Sequence, residues 1–510
     1  MKKVILKIFI CLIITTLHAQ SPSIQWLKCY GGTQIDNGMS VKQTTDGGYI
    51  VIGNTYSNDG DVTDAPGYVD FWILKLNSTG AIQWQKTLGS VNTDSAYDIE
   101  QTSDGGYVFI GTVGNSDGDV VGSFGSQIWV VKLNSTGTIT WQKTLGGTYE
   151  EVGYCIKQTA DNGYIIAGSS NSSDGGVTGN HGFIDAWIIK LDSAGAVQWQ
   201  KSYGGTEFDE AYSIKQTSDG GYIVAAYTGS NNGNVTNFHG FYDAWILKLN
   251  SSGNLVWQKT IGGSGQDRID KIELTNDGGY ILAGGTGSNN GDISGQHGGY
   301  EAWIVKMNSS GTIQWQKTIG GTSDDVAKSI IQTTDGGYVA VGNTVSNDGD
   351  VIGNHINGDG WLFKLNSSGI IQWQKYFGGT GIDTMNNIRQ TTDGGFILTG
   401  TSGSSTIDGA TNHGSDDLIV TKLTPENLSI DDFNNPKINI YPNPVEEILQ
   451  INSNNNQLKS IKILDLNGRL IYESFSGNLN INASKLQSGV YMIELLFDND
   501  LVAKQKIIKK

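Results

Sequence analysis

An all-β chain assembled from seven like units is what the sequence predicts, and three observations predict it. The first is a set of tryptophans, Trp26, Trp84, Trp141, Trp199, Trp257, Trp315 and Trp373, spaced 57 or 58 residues apart inside the string I-Q-W-Q-K or a close variant. The second is a parallel set, Trp72, Trp129, Trp187, Trp245, Trp303 and Trp361, in a D-A-W-I-x-K-L run, with Ile419 in that place in the last copy; the two sets use all 13 tryptophans. The third is a turn at Asp46, Asp104, Asp161, Asp219, Asp277, Asp335 and Asp393, each followed by Gly-Gly or Asn-Gly and then an aromatic residue. Such self-similarity at a fixed period is the signature of a repeat architecture. With 71 Gly, 6 Pro and 21 Tyr, the composition is that of a turn-rich, aromatic-packed β protein.

Residues 1–19 come first. Lys2, Lys3 and Lys7 precede an apolar stretch from Ile8 to Leu17 and a small residue, Ala19, which reads as a cleavable signal peptide. The apolar run is shorter than the roughly 20 residues that span a bilayer, and no other segment is apolar for long enough, so no transmembrane segment is expected. Cys11 lies inside the run and not at its end, which argues against a lipid anchor. After cleavage Cys29 and Cys155 remain, on distant repeats, and read as free thiols. The formal net charge is -17, and losing the three leader lysines makes it more negative. That disfavours nucleic acid as a partner, because counterion release requires Lys and Arg at phosphates.

Within residues 22–424 each copy resolves into four short runs of strand character, typified by S-I-K-Q-T, Y-I-V-A-G, D-A-W-I-L-K-L and I-Q-W-Q-K, named here a, b, c and d. Asp-Gly-Gly joins a to b and Asn-Ser-Ser-Gly joins c to d. Both are tight-turn chemistry, since Gly and Asn tolerate positive φ, so each copy is two hairpins. Four antiparallel strands repeated seven times predict a single seven-bladed β-propeller, not a parallel solenoid, whose coils lack internal hairpins. The chain ends agree. The array begins with a lone d run, Ser23 to Lys28, and finishes with a lone c run, Asp417 to Leu423. Each end lacks the hairpin partner that the other supplies, so Ile24 and Trp26 are expected to pair with the strand around Ile419 and close one blade. The tryptophans are expected to fill the space between blades.

Alternating strand direction puts the a–b and c–d turns on one face and the d–a and b–c loops on the other, whichever strand is innermost. The second face is rich in Asp, Asn, Ser and His and is the candidate binding face. Every d–a loop carries an acid at a fixed offset: Asp36, Asp94, Glu151, Asp209, Asp267, Asp325 and Asp383. Most b–c loops carry a short polar cluster: Asp59 with Asp61, Asp117 with Asp119, Asp174, Asn232 with Asn234, Asn290 with Asp292, and Asp348 with Asp350. Oxygen ligands so closely spaced suit calcium, which takes six to eight, and also suit Asx-turns that need no ion. His181, His239, His297, His355 and His413 fall one per blade, too dispersed for a shared metal site, and read as loop hydrogen-bonding residues. No H-E-x-x-H, G-x-S-x-G or phosphate loop occurs, and no catalytic residue stands out.

The repeat unit resembles the seven-bladed β-propeller repeat of secreted bacterial proteins, over residues 22 to 424. That family has no single activity, so the resemblance implies architecture alone. After a polar linker, residues 425–437, the repeat markers vanish. Residues 438–510 contain I-N-I-Y-P-N-P-V, I-K-I-L-D-L-N-G-R-L-I, L-Q-S-G-V-Y-M-I and a basic end, K-Q-K-I-I-K-K. As residues these are short strands with Asn-Gly and Ser-Gly turns, a small Ig-like β-sandwich. As motifs they resemble the C-terminal sorting domain of the type IX secretion system of Bacteroidota. The resemblance implies passage through the periplasm, recognition by the outer-membrane translocon, removal by its sortase, and a propeller on the cell surface or in the medium.

Three functions stay open on the sequence. One is a non-enzymatic surface or secreted protein presenting a multivalent loop face to a glycan, protein or matrix ligand. Another is a polysaccharide hydrolase or lyase using loop acids such as Asp36 or Asp209, and the last is a structural or adhesion component. Near-identical blades favour the first, because a propeller active site needs residues that differ from blade to blade.

Overall fold

The computed structural model describes residues 21–426, apart from positions 66, 124, 355 and 356, and residues 439–510, apart from 453–457, 466–468, 475–479 and 498–501. The leader expected at 1–19, most of the linker expected at 425–437, and His355 fall outside the described residues. The chain divides into two compact units, one holding every strand from Ile24 to Leu423 and the other every strand from Asn439 to Lys509.

The first unit is seven four-stranded antiparallel sheets. Blade 1 runs a Asp36–Gln43, b Tyr49–Thr55, c Asp70–Leu76 and d Ile82–Leu88. The remaining a strands are Ser95–Gln101, Glu151–Gln158, Asp209–Gln216, Asp267–Leu274, Asp325–Gln332 and Asp383–Gln390. These seven a strands neighbour one another in a closed ring, from blade 7 back to blade 1, so strand a lines the central channel and strand d forms the rim. Blade 7 closes as expected. Ile24–Tyr30 pairs antiparallel with Asp417–Leu423, setting Trp26 opposite Lys422 and Cys29 opposite Ile419. The propeller fold read from the repeat is the fold observed.

Blade packing explains the repeat markers. Strands b and c are covered on both faces by neighbouring blades, which is why they read as nearly continuous apolar runs. The strand-c tryptophans are at most 2% exposed and each donates its indole N–H to a strand-d glutamine, as Trp72 does to Gln85 at 2.7 Å. The strand-d tryptophans sit at the rim, mostly half-buried, and five of them stand edge-on to the strand-b tyrosine of the next blade, as in Trp26 and Tyr49 with centroids 5.8 Å apart. Both series are mortar between blades, burying large flat surfaces.

The Asp-Gly-Gly turns carry a partner that local reading missed. Gly47 turns at φ +80°, a conformation that L side chains resist. Asp46 accepts from the Gly48 N–H at 3.0 Å, and its other oxygen lies 2.8 Å from the ammonium of Lys75, a strand-c lysine only 3% exposed. The same ion pair recurs at Lys132–Asp104, Lys190–Asp161, Lys248–Asp219, Lys306–Asp277, Lys364–Asp335 and Lys422–Asp393. The lysine of D-A-W-I-x-K-L thus reaches along the blade to pin the a–b turn.

The second unit stacks two sheets. One contains Asn439–Tyr441, Ile448–Asn452 and Asn480–Asn482; the other orders Leu470–Ser474, Leu458–Asp465, Gly489–Phe497 and Val502–Lys509. Ile440, Leu449, Ile461, Ile463, Ile493 and Ile507 fill the space between them. This is the β-sandwich read from the sequence.

Candidate binding site at the channel mouth

The seven d–a loop acids do not lie on the surface. Asp36, Asp94, Glu151, Asp209, Asp267, Asp325 and Asp383 are at most 1% exposed. Asp36 accepts from the Thr55 hydroxyl, from Ser57 Oγ at 2.8 Å and from the Gly32 N–H at 2.8 Å, tying the d–a loop to the end of strand b. Asp209 does the same with Ser230 Oγ at 2.7 Å and Gly205 N–H at 2.8 Å. They are expected at the loop face because they precede a strand. The chain has already turned inward there, and their oxygens organise backbone.

The polar clusters of the b–c loops act as clasps. Asp59 takes the Thr33 N–H at 2.8 Å and the Thr33 hydroxyl at 2.9 Å, while Asp61 takes the Gly31 N–H at 3.4 Å. Asp117 takes the Val91 N–H at 2.8 Å and Asp119 the Gly89 N–H at 3.4 Å. Asp348 takes both the N–H and hydroxyl of Thr322, and the Asp350 N–H donates to Gly320 at 2.8 Å. In the first two clusters the two side chains serve different donors. Among the described residues no three His, Cys, Asp or Glu side chains gather as metal ligands. In these contacts the carboxylates bind loop backbone, as Asx-type turns do.

A second set of acids opens strand c: Asp70, Asp185, Asp243, Glu301, Asp359 and Asp417, with Gln127 in blade 2. Each converges on the d–a acid of the next blade. A Cβ added to Gly89 would lie 2.5 Å from Asp94 Oδ2 and 2.6 Å from Asp70 Oδ1, so only glycine fits between the two carboxyls. His181, His239, His297 and His413 point Nδ1 at the strand-c acid, at 2.6, 3.0, 3.3 and 2.6 Å. Blade 1 has Pro66 in the histidine's place, and Asp70 is pushed up to about 6 by burial and by the charges of Asp94 and Asp119.

The residues that differ between blades are on strand a. In all seven blades the a–b pairing slips by one residue at the same point, between Gly38 and Ser40 in blade 1 and between Ala211 and Ser213 in blade 4. The extra residue of these β-bulges is Met39, Tyr97, Tyr154, Tyr212, Asp270, Lys328 and Asn386 in turn. A bulge re-aims its side chain, and here all seven aim into a cavity of about 190 Å³ in the channel. Because strand a starts at the d–a loops, this mouth opens on the loop face.

The mouth is lopsided. On one side Tyr97, Tyr154 and Tyr212 stand ring to ring, with centroids 5.0 and 4.4 Å apart. Tyr154 and Tyr212 both donate to Glu210, at 3.2 and 2.7 Å. From Tyr212 the run of rings continues through Tyr227 and Tyr242 to Phe241, which is 67% exposed on the b–c loop of blade 4. Beside the tyrosines, Arg268 covers the Tyr212 ring at 5.8 Å and pairs with Asp270 at 2.8 Å. Further along strand a the channel carries a charged waist, a belt of ion pairs. Lys157 lies 2.5 Å from Asp98 and 2.7 Å from Glu100, and Lys215 lies 2.7 Å from Glu273. Lys42 and Arg389 stand 3.7 Å from Glu100 and Glu273. Counting Lys271, this waist sets five cations against three carboxylates.

The two ends of the chain compare differently with known proteins. Residues 439–510 match the family described as the secretion system C-terminal sorting domain. This segment is a type IX sorting domain. It marks the chain for export through the type IX system to the cell surface or the medium. The regulatory protein FlaEY of Caulobacter vibrioides is 24% identical over 356 residues, 60% of this chain, but the match spans only 36% of that protein. Among solved structures, the WD40 domain of Neurospora crassa Pan2 aligns at 11% identity and a TM-score of 0.42, over 75% of this chain and 88% of that one. PorZ, a surface component of the type IX system of Porphyromonas gingivalis, aligns at 12% identity and 0.24, over 96% and 75%. Among the described residues, no helix is long and apolar enough to cross a membrane.

Proposed function

We propose that the exported propeller is a non-enzymatic binding protein that takes a glycan, protein or matrix ligand at the mouth of its channel, on the loop face. The observation that carries this reading is the bulge position. Seven blades that agree in their strand-d tryptophans, turns and Lys–Asp ion pairs hold seven channel residues of five kinds, Met, Tyr, Asp, Lys and Asn, at a position the fold points into a cavity. The multivalent face expected from near-identical blades thus gives way to a single uneven mouth, since a packing role asks for repetition whereas recognition of an asymmetric ligand asks for differences. The acids that an enzymatic reading would use, Asp36 and Asp209, are buried and committed to loop backbone, which favours binding over hydrolysis. The sorting domain is the part that meets the translocon, and its sortase would remove it after passage through the periplasm.

The test is a glycan and matrix-protein array probed with the purified mature chain, followed by Tyr154→Ala and Tyr212→Ala. A ligand whose binding falls at least about tenfold in these variants, with the thermal melt unchanged, supports the mouth. A ligand indifferent to both would move the site elsewhere and defeat the proposal.

A further inference from the structure

The strand-a position just past the bulge does the same work in several blades. It accepts a backbone N–H from a neighbouring blade: Asp98 from Ile156 at 3.4 Å, Ser213 Oγ from Ile272 at 3.3 Å and Asn387 Oδ1 from Val41 at 3.3 Å. In blade 5 the position is Lys271, and an ammonium can only donate. A residue that abandons what its counterparts do is the kind of local exception that function leaves in a regular frame.

Lys271 is also without a partner. It is 8% exposed, lines the mouth cavity, and forms no hydrogen bond or ion pair among the described residues. The carboxylates that line the cavity with it are taken, Asp98 by Lys157 at 2.5 Å and Asp270 by Arg268 at 2.8 Å. Burial, and then the charges of Arg389 and Lys157, push its ammonium down to about 8. A buried cation that nothing neutralises is costly, so the cavity calls for an anion. The tyrosines make no such demand. Tyr154 and Tyr212 cover each other, and Tyr227 and Arg268 cover Tyr212, so these rings wall the cavity and leave the choice of ligand to its polar groups.

Charge and size narrow the anion. Lys328, the other lysine lining the cavity, faces Asp270 at 3.8 Å, which leaves Lys271 to balance a single negative charge. A cavity of about 190 Å³ is several times the roughly 30 Å³ share of one water and has room for more than a bare halide. Asn387, 5% exposed, lines the same cavity with its Oδ1 given to Val41, so its amide nitrogen is a second donor. One negative charge, spread over two accepting oxygens and carried on a body of a few heavy atoms, is a carboxylate.

We propose that the mouth cavity is a carboxylate site, in which the acid group of a ligand, either a small free acid or the C-terminus of a protein chain, sits on the Lys271 ammonium. This rests on the channel mouth being the binding site and names the group that enters it.

Two matched pairs test the assignment on the mature chain: propionate against propionamide, and a short peptide with a free C-terminus against its amidated form, with chloride and phosphate at equal ionic strength beside them. Affinity is read from the concentration dependence of the thermal midpoint. In at least one pair the carboxylate is expected to bind about tenfold or more tighter than the amide, as a charge-assisted hydrogen bond implies. The pair that shows it tells the free acid from the chain end. Lys271→Met should erase the preference and Lys271→Arg should keep most of it. The pairs compare ligands on the unaltered protein, so they stand even where a variant fails to fold. No preference in either pair, a preference that survives in folded Lys271→Met, or tighter binding of chloride or phosphate than of both carboxylates overturns the proposal. If a different ligand then proves sensitive to Tyr154→Ala, the mouth remains the site and only the acid is lost.

Discussion

Replacing Asp70 with Asn should stabilise the propeller at alkaline pH, although it removes a charge from an apparently well-built loop. Asp70 is 1% exposed, accepts one hydrogen bond, from the Gly67 N–H at 2.9 Å, and leaves Oδ1 without a donor against Asp94. Burial, Asp94 and Asp119 hold it near 6 when folded, against an ordinary 3.8. A carboxyl whose value is raised on folding favours the folded state when protonated. That contribution is complete below 3.8 and lost as pH rises through about 6. At pH 8 the ionised group therefore costs about 3 kcal/mol, from 1.36 kcal/mol per pKa unit. Asn keeps the acceptor for Gly67 and turns an amide toward Asp94. Blade 2 already carries an amide in this place, Gln127, whose Nε2 donates to the Gly147 carbonyl at 3.0 Å. Chemical denaturation of wild type and Asp70→Asn from pH 4 to pH 8 should show no gain, or a small loss, at pH 4 and a gain of about 1–3 kcal/mol at pH 8. A gain independent of pH, or a loss at pH 8, would refute the claim that paired carboxyls at the blade junctions carry the effect.

Three further outcomes follow from the same contacts. Deleting residues 20–30 removes strand d of blade 7 and opens the edge of Asp417–Leu423, so calorimetry should show the single propeller transition broadened or lost; an unchanged melt would contradict closure. Chelator should leave the melting temperature of the propeller unmoved, since the b–c carboxylates already hold N–H groups, and a downward shift of several degrees would instead place calcium in the loops. Cys29 and Cys155 are free and buried, and burial first, then the charges of Asp417 and Asp383, push the Cys29 thiol up to about 12. A thiol reagent should therefore modify neither until the chain is unfolded, and rapid labelling of native protein would contradict the packing of blade 7.

Architecture was legible in the sequence because it is written with repetition. The tryptophan spacing fixes the number of blades, the Gly-rich turns fix the hairpins, and the unpaired end runs fix closure, each being a property of the backbone that all copies share. Site residues were harder to see for the same reason. Asp36 and its equivalents repeat most faithfully and drew attention as a ring of acids, yet a residue that repeats in seven blades serves what seven blades share, here the anchoring of a loop. Met39, Tyr97 and Asp270 look like noise in a degenerate strand. What singles them out is the bulge that makes each an inserted, channel-facing residue, and a bulge depends on pairing with strand b, which no single strand reveals. The usable signal was present: aligned on the acid, the residue three positions on changes between Met, Tyr, Asp, Lys and Asn.

Closure and the uneven channel are linked by more than proximity. Strand a has its sheet partner on one side only and faces the channel with the other, so its inward residues are free of the constraint that fixes strands b and c between blades. Bulges cost ladder hydrogen bonds, and a chain that keeps one in every blade spends stability seven times over. The Lys–Asp pins at the a–b turns and the buried carboxylate ties at the d–a loops lie at the two ends of strand a, on either side of the bulge. Held at both ends, the strand can carry an inserted residue in the middle without fraying. The repeated, costly, buried polar groups thus have a reason to be repeated. They fix the frame in which one variable residue per blade can be exchanged, and a mouth built from seven such positions can be re-specified one side chain at a time while the propeller stays the same.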